Sequence, residues 1–364
     1  MPKNDTQRKN LWQKILFTKE YFMEAIPFDD RDGVIWFNGE MVPWRQARLH
    51  VLSHALHYAS SVFEGERSYA GNIFKLTEHS ERLVLSAKTL GFELPYSVAE
   101  IDAACIETCK QNDIIDGYVR PVAWRGSEMM GVSAQATRIN VAIAAWPWPS
   151  YFSPEARMKG IRLKTADWRR PDPQTAPVMA KAAGLYMICT LSKHAAEAEG
   201  YDDCLMLDWR GRVAEATGAN IFLVFDDGKL HTPTPDCFLD GITRRTVIDL
   251  ARQRGIKVVE RVIMPDELKD ANEIFLTGTA AEVTPVGEID DLKFSVGEIT
   301  QWMMEDYDKV VGKPEPGARS AVRRTSRWAV PIRSSTPRPS VSSSRAAARA
   351  SPSFSPCIRT ARRA

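Results

Sequence analysis

Four tight-turn signals cut this chain into short strand-like runs, and they constrain its fold more than any other feature. Asn38-Gly39 separates residues 34–37 from 40–42, and Gly71-Asn72 tips a second hairpin. Trp209-Arg210-Gly211 and Asp226-Asp227-Gly228 repeat the pattern in the second half. Gly, Asn and Asp tolerate the backbone angles such turns need, so the runs they join should pair antiparallel. Further strand patterns fall at 118–124, 139–146, 161–165, 203–207, 221–225, 229–232 and 273–277. Helical patterns fall at 53–63, 77–90, 98–112, 183–199 and 243–254. Neither a regular βαβ alternation nor a Gly-x-Gly-x-x-Gly or Walker loop occurs, which argues against a doubly wound nucleotide fold. The expectation is an α+β chain of two domains.

Pro147, Pro149 and Pro154 place the division between them. The reading is an N-terminal extension over 1–32, a small α/β domain over 33–147, a connecting segment over 148–158 and a larger domain over 159–317. A tail follows over 318–364. That tail holds 11 arginines, no lysine and no acidic residue, leaving 37 basic against 46 acidic residues in the rest. The body is therefore acidic, and nucleic acid is not the expected partner. The tail's Arg, Ser, Ala and Pro cannot build a core. It reads either as a disordered basic tail or as the product of a shifted frame in GC-rich DNA. The polar first 16 residues and the lack of any apolar run near membrane length point to the cytoplasm. Six cysteines without a CxxC pair read as reduced thiols.

The chemistry is concentrated in four places. Lys181 lies in Met179-Ala180-Lys181-Ala182-Ala183-Gly184-Leu185-Tyr186. Glu215 follows 34 residues later in a strand-like run. Gly241-Ile242-Thr243-Arg244 opens a helix, where free amides and the helix dipole favour an anion. Gly278-Thr279-Ala280-Ala281-Glu282 follows a strand. In this order and spacing they resemble the fold-type IV pyridoxal phosphate enzymes, and most closely the branched-chain amino acid aminotransferases, from about residue 34 to about residue 305.

The resemblance implies a small α/β domain and a larger pseudo-barrel domain. It implies pyridoxal 5'-phosphate as cofactor, with Lys181 as the catalytic amine. Arg82, Tyr186, Glu215, Ile242, Thr243, Gly278 and Thr279 join Lys181 in binding the cofactor. Glu215 would meet the pyridine nitrogen; the glycine turns and Arg82 would meet the phosphate. Tyr58, Phe63, Gly65, Arg67, Tyr118, Arg120, Trp148, Tyr151 and Ala280 would form the substrate pocket. Two positions depart from the family pattern: Leu185 replaces an asparagine, and Glu66 stands where an apolar residue is common. His50, His54 and His57 have a superficially metal-like spacing but no partnered glutamate, so no metal is expected.

The implied reaction moves the amino group of L-leucine, L-isoleucine or L-valine to 2-oxoglutarate in a homodimer or hexamer. Within the same fold, a D-amino acid or (R)-amine transaminase and a 4-amino-4-deoxychorismate lyase are the alternatives.

Overall fold

The computed structural model describes residues 26–148 and 158–313. Tyr151, most of the expected N-terminal extension, nearly all of the connecting segment and the basic tail lie outside these residues.

The first part builds a seven-stranded sheet: β1 (Val34–Phe37), β2 (Glu40–Pro43), β3 (Ser61–Phe63), β4 (Glu66–Tyr69), β5 (Asn72–Ile73), β6 (Gly117–Arg125) and β7 (Ile139–Pro147). Helices α1 (His54–Tyr58), α2 (Leu76–Thr89) and α3 (Val98–Gln111) accompany it. The order is β2-β1-β7-β6-β4-β5, with β3 also on β6, and every pair is antiparallel. Leu83 and Ala87 of α2 and Ile101 and Cys105 of α3 pack on Val62, Val119, Val141 and Ile143 of the sheet. Ser97 caps α3, exchanging bonds with Glu100 in a capping box.

The second part contains β8 (Ile161–Thr165), α4 (Met187–Ala198), β9 (Asp203–Leu207), β10 (Val213–Ala216), β11 (Asn220–Val224), β12 (Leu230–Pro233), α5 (Ile242–Gln253), β13 (Val258–Arg261), β14 (Glu273–Gly278), β15 (Glu282–Ile289), β16 (Leu292–Lys293) and α6 (Glu298–Val310). Strands β10-β9-β8-β15-β14-β11 run side by side, and β11 pairs back onto β10. This closes a ring, with β12 and β13 extending from β11. Alternation of side chains fills both faces. Ile221 and Leu276 point into the ring with Leu163, Leu205 and Val286. Their neighbours Phe222 and Phe275 point outward and stack at 5.1 Å under α5 and α6.

Three local differences from the sequence expectation have physical causes. The helix expected over 53–63 is only α1, because Ala59 takes a left-handed φ of 51° and residues 61–63 pair with β6. Strand β15 carries Pro285 and Gly287, which conceal a strand pattern, yet its register against β14 is unbroken. Lys181 precedes a 3-10 turn, Ala183–Tyr186, that only then leads into α4.

Candidate active site

One cavity is lined by residues of α2, of the second sheet and of the segments that join its strands and helices, including Arg82, Arg170, Lys181, Tyr186, Glu215, Ile242, Thr243, Gly278 and Thr279. All eight residues expected to bind the cofactor line it.

Lys181 reaches the cavity because its neighbours are anchored. Ala180 and Ala182 are buried in the first core, Ala182 bridges Val62, and Lys181's carbonyl accepts the Phe63 amide at 3.1 Å. Lys181's own amide donates to Ser86 Oγ at 3.0 Å. The side chain extends to Tyr186, donating from Nζ to Oη at 2.9 Å, about 5.0 Å from the Phe63 ring centre. Leu185, the departure from the family's asparagine, packs against the first core.

Glu215 sits where the ring closes, opposite Asn220 in register. Asn220 Nδ2 donates to Glu215 Oε2 at 3.3 Å, and Arg170 Nε lies 3.2 Å from Oε1. Burial pushes the Glu215 carboxyl up to about 7, against the opposing pull of Arg170 and Lys181. A partly ionised acid in a dry wall suits a cationic ring nitrogen.

Two glycine-opened turns face the same space. No side chain caps α5, so its first amides are open to an anion. Gly241 has to be glycine here: a Cβ would come 2.2 Å from Asn220 Oδ1, which accepts the Gly241 amide. Thr277 Oγ1, also in the cavity wall, is buried without a hydrogen-bond partner. These open groups, with three cationic side chains nearby, match a phosphorylated pyridine carrying an aldehyde for Lys181. Arg82 is held in a bidentate pair with Glu64 at 2.7 and 2.8 Å, and His79 Nδ1 lies 2.7 Å from the same carboxylate. Burial opposes ionisation of Glu64, but Arg82 and His79 outweigh it and hold the carboxyl well below its ordinary range.

The expected substrate residues divide. Phe63 stands between Lys181 and Arg120, with the Arg120 guanidinium 4.9 Å from its ring centre. Tyr118 accepts from Arg120 Nη2 at 3.2 Å and lies against Trp148, their rings 5.2 Å apart. Gly65 leaves room for this tyrosine, whose hydroxyl would be 1.9 Å from a Cβ at that position. Arg67 and Ala280 line a neighbouring cavity that shares Thr217, Gly218 and Ala219 with the first. Tyr58 stands apart: it is 44% exposed on α1, stacked on His54, and lines neither cavity. Its family position therefore does not place it at this chain's own Lys181. Glu66 also turns away, as strand alternation between Gly65 and Arg67 requires, and is buried beside Cys105 of α3. Burial and the Glu64 charge raise its carboxyl well above the ordinary range, and it lines neither cavity.

The three histidines are engaged elsewhere. His54 bonds Ser60 Oγ and the Gly131 carbonyl, His57 the Val51 carbonyl, and His50 accepts the Leu52 amide. Sequence reasoning missed Glu64, His79, Arg170 and Asn220. His79, three residues before Arg82, and Asn220, five after Glu215, stand beside residues singled out in the sequence, but neither spacing by itself signals a role.

Ring and cavity together define an enzyme of fold-type IV. The profile of the amino-transferase class IV family matches residues 61–289. The chain is 42% identical over 297 residues to a branched-chain-amino-acid aminotransferase of Pseudomonas aeruginosa, covering 79% of this chain and 96% of that protein. Among solved structures, the branched-chain aminotransferase of Escherichia coli superposes with a TM-score of 0.74 at 37% identity, over 79% of this chain and 98% of that one. One from Thermobaculum terrenum, in its PLP-bound holo-form, gives 0.71 at 32% identity, over 78% and 94%. This chain belongs to the class IV aminotransferases.

Proposed function

We propose that the protein is a branched-chain amino acid transaminase that moves the amino group of L-leucine, L-isoleucine or L-valine to 2-oxoglutarate. The named relatives support this over the D-amino acid, (R)-amine and lyase alternatives. The observation that carries it is the convergence of Lys181, Glu215, Arg82 and the two glycine turns on one cavity, beside an aromatic wall with Arg120 at its edge.

The cofactor is pyridoxal 5'-phosphate, which supplies an electron sink for the substrate's α-carbon when bound. Lys181 Nζ holds it and then carries the α-proton, oriented by Tyr186 Oη. Glu215 keeps the proton on the pyridine nitrogen. Arg82, fixed by Glu64, and the amides of Ile242, Thr243, Gly278 and Thr279 hold the phosphate. Phe63, Gly65, Tyr118, Trp148 and Tyr151 shape the side-chain pocket. Arg120 and Arg67 meet the acceptor's distal carboxylate, and the Ala280 amide the α-carboxylate.

We assign most of the substrate pocket to 33–147 and, Arg82 apart, the cofactor site to 159–317. The protein acts as a homodimer or larger homo-oligomer in the cytoplasm. Its five described cysteines are free and buried, which suits a reducing compartment. Among the described residues, no helix is long and apolar enough to cross a membrane.

An amino-donor panel with 2-oxoglutarate tests the reading. L-leucine, L-isoleucine and L-valine should yield glutamate while D-leucine does not; turnover of D-leucine in preference to L-leucine would overturn it.

A further inference from the structure

Arg170 has no part in the reaction as described above, yet it is 4% exposed and lines the cavity. A buried guanidinium needs a compensating partner. Its Nη1 donates to Cys189 Sγ at 3.5 Å, a weak acceptor. Its Nε is 3.2 Å from Glu215 Oε1, but the N–H is not aimed at that oxygen and forms no hydrogen bond. Backbone pairing fixes the residue: its amide donates to Leu207 at 2.8 Å, and it bridges Asp208 beside β9. The charge is therefore delivered by the barrel framework, whereas the carboxylate it faces is left free to direct its lone pairs elsewhere.

We propose that Arg170 is a positioning residue for Glu215, a fixed positive charge that opposes protonation of this carboxylate and leaves it ready for a cationic ring. The proposal rests on the cofactor reading above. A directed salt bridge would occupy Oε1 and compete with the ring nitrogen; a misaligned cation at 3.2 Å lends its field without taking the bond. The ionisable groups facing Glu215 are Arg170, Lys181 and Cys189, with Tyr186 and Arg82 also on the cavity wall. Arg170 is the cation that remains fixed beside Glu215 throughout.

Burial alone drives Glu215 toward the neutral form, and Arg170 is the largest opposing influence. Without it, burial favours the protonated form of Glu215 more strongly. A cofactor arriving with its ring nitrogen protonated then has to displace that proton, so affinity drops most at lower pH and recovers as pH rises.

The test is the binding of pyridoxamine 5'-phosphate, which lacks the aldehyde and so binds without a bond to Lys181. Its dissociation constant is measured from pH 6 to 9 for the wild-type chain, Arg170→Met and Arg170→Lys, with thermal melting as a check of folding. Arg170→Met should bind at least tenfold more weakly at pH 7, and the ratio to wild type should narrow toward pH 9. Arg170→Lys, which keeps a cation, should stay close to the wild-type profile. A loss in Arg170→Met that is constant with pH, or a Lys variant as impaired as the Met variant, would overturn the proposal. If Arg170→Met does not fold, Arg170→Gln takes its place in the comparison with Lys. Failure of the wild-type chain to bind the probe at any pH would instead sink the cofactor reading.

Discussion

Two side chains carry opposite demands at the substrate end and the cofactor end of the cavity. Arg120 has a buried Nε without a hydrogen-bond partner and a guanidinium resting against the Phe63 and Tyr118 rings. An aromatic cage holds an aliphatic side chain, and the open N–H donates to a carboxylate when the acceptor binds. Arg120→Leu should raise KM for 2-oxoglutarate by on the order of ten- to a hundredfold, from about 1.5–3 kcal/mol of charged hydrogen bonding, while KM for leucine moves little. Separate half-reactions followed by cofactor absorbance measure each side, and equal losses would remove Arg120 from acceptor recognition. Glu215 gives a pH prediction for the cofactor-free protein. Its carboxyl, raised to about 7 by burial, holds a proton that the unfolded chain releases near its ordinary 4.5. The folded state binds more protons in that window, so its contribution is full below 4.5 and is lost as pH rises through 7. Relative to Glu215→Gln, the wild-type chain should lose up to about 3 kcal/mol of stability over this range, read from urea midpoints at several pH values. A difference independent of pH would show that the acid is not shifted.

At the scale of elements, the cavity depends on two junctions. The β10–β11 pairing sets Glu215 opposite Asn220, and the Asn220 side chain also holds the Gly241 amide and the Leu239 carbonyl. One asparagine thus ties the acid to the start of α5. Gly241→Ala would drive a Cβ into Asn220 Oδ1 and displace the turn that presents the α5 amides. Helix-terminus interactions are worth up to about 2 kcal/mol in buried settings, so cofactor affinity should fall roughly tenfold or more. Fluorescence titration of the apo protein with pyridoxal phosphate would show it. An unaltered dissociation constant would move the phosphate away from α5. The other junction runs from β3 through the Phe63 amide to the Lys181 carbonyl, so the segment bearing the catalytic amine is pinned to the first sheet.

Across the whole molecule, an apolar surface remains open beside the site. Leu56 is 62% exposed, Val51 71% and Met187 62%, and a broad groove lined by Leu49, Leu56, Trp124 and Met187 extends to Tyr186 and Arg120. Soluble proteins seldom leave such a patch uncovered, which supports self-association. Leu56→Glu should shift the protein toward monomer in light scattering and lower its turnover, because the open groove borders the pocket. A fully assembled Leu56→Glu protein would place the interface elsewhere.

The residues themselves determined the turn positions, both glycine motifs and the α+β class, because these depend on local backbone preference and side-chain chemistry. The strands at 161–165 and 203–207 were legible residue for residue, since alternation and flanking turns are local signals. The amine, the acid and the two turns were legible through their order in a known family. Only the tertiary structure decided that Glu66 lies in the core and that Tyr58 stands away from Lys181, because strand phase and helix facing fix where a side chain ends. It also supplied Arg170, 45 residues before its carboxylate partner, and Glu64, whose role depends on Arg82 arriving from another element. Closure of the ring brought these groups together; burial there strengthened the interactions between their charges by removing water, an effect that no spacing along a chain encodes.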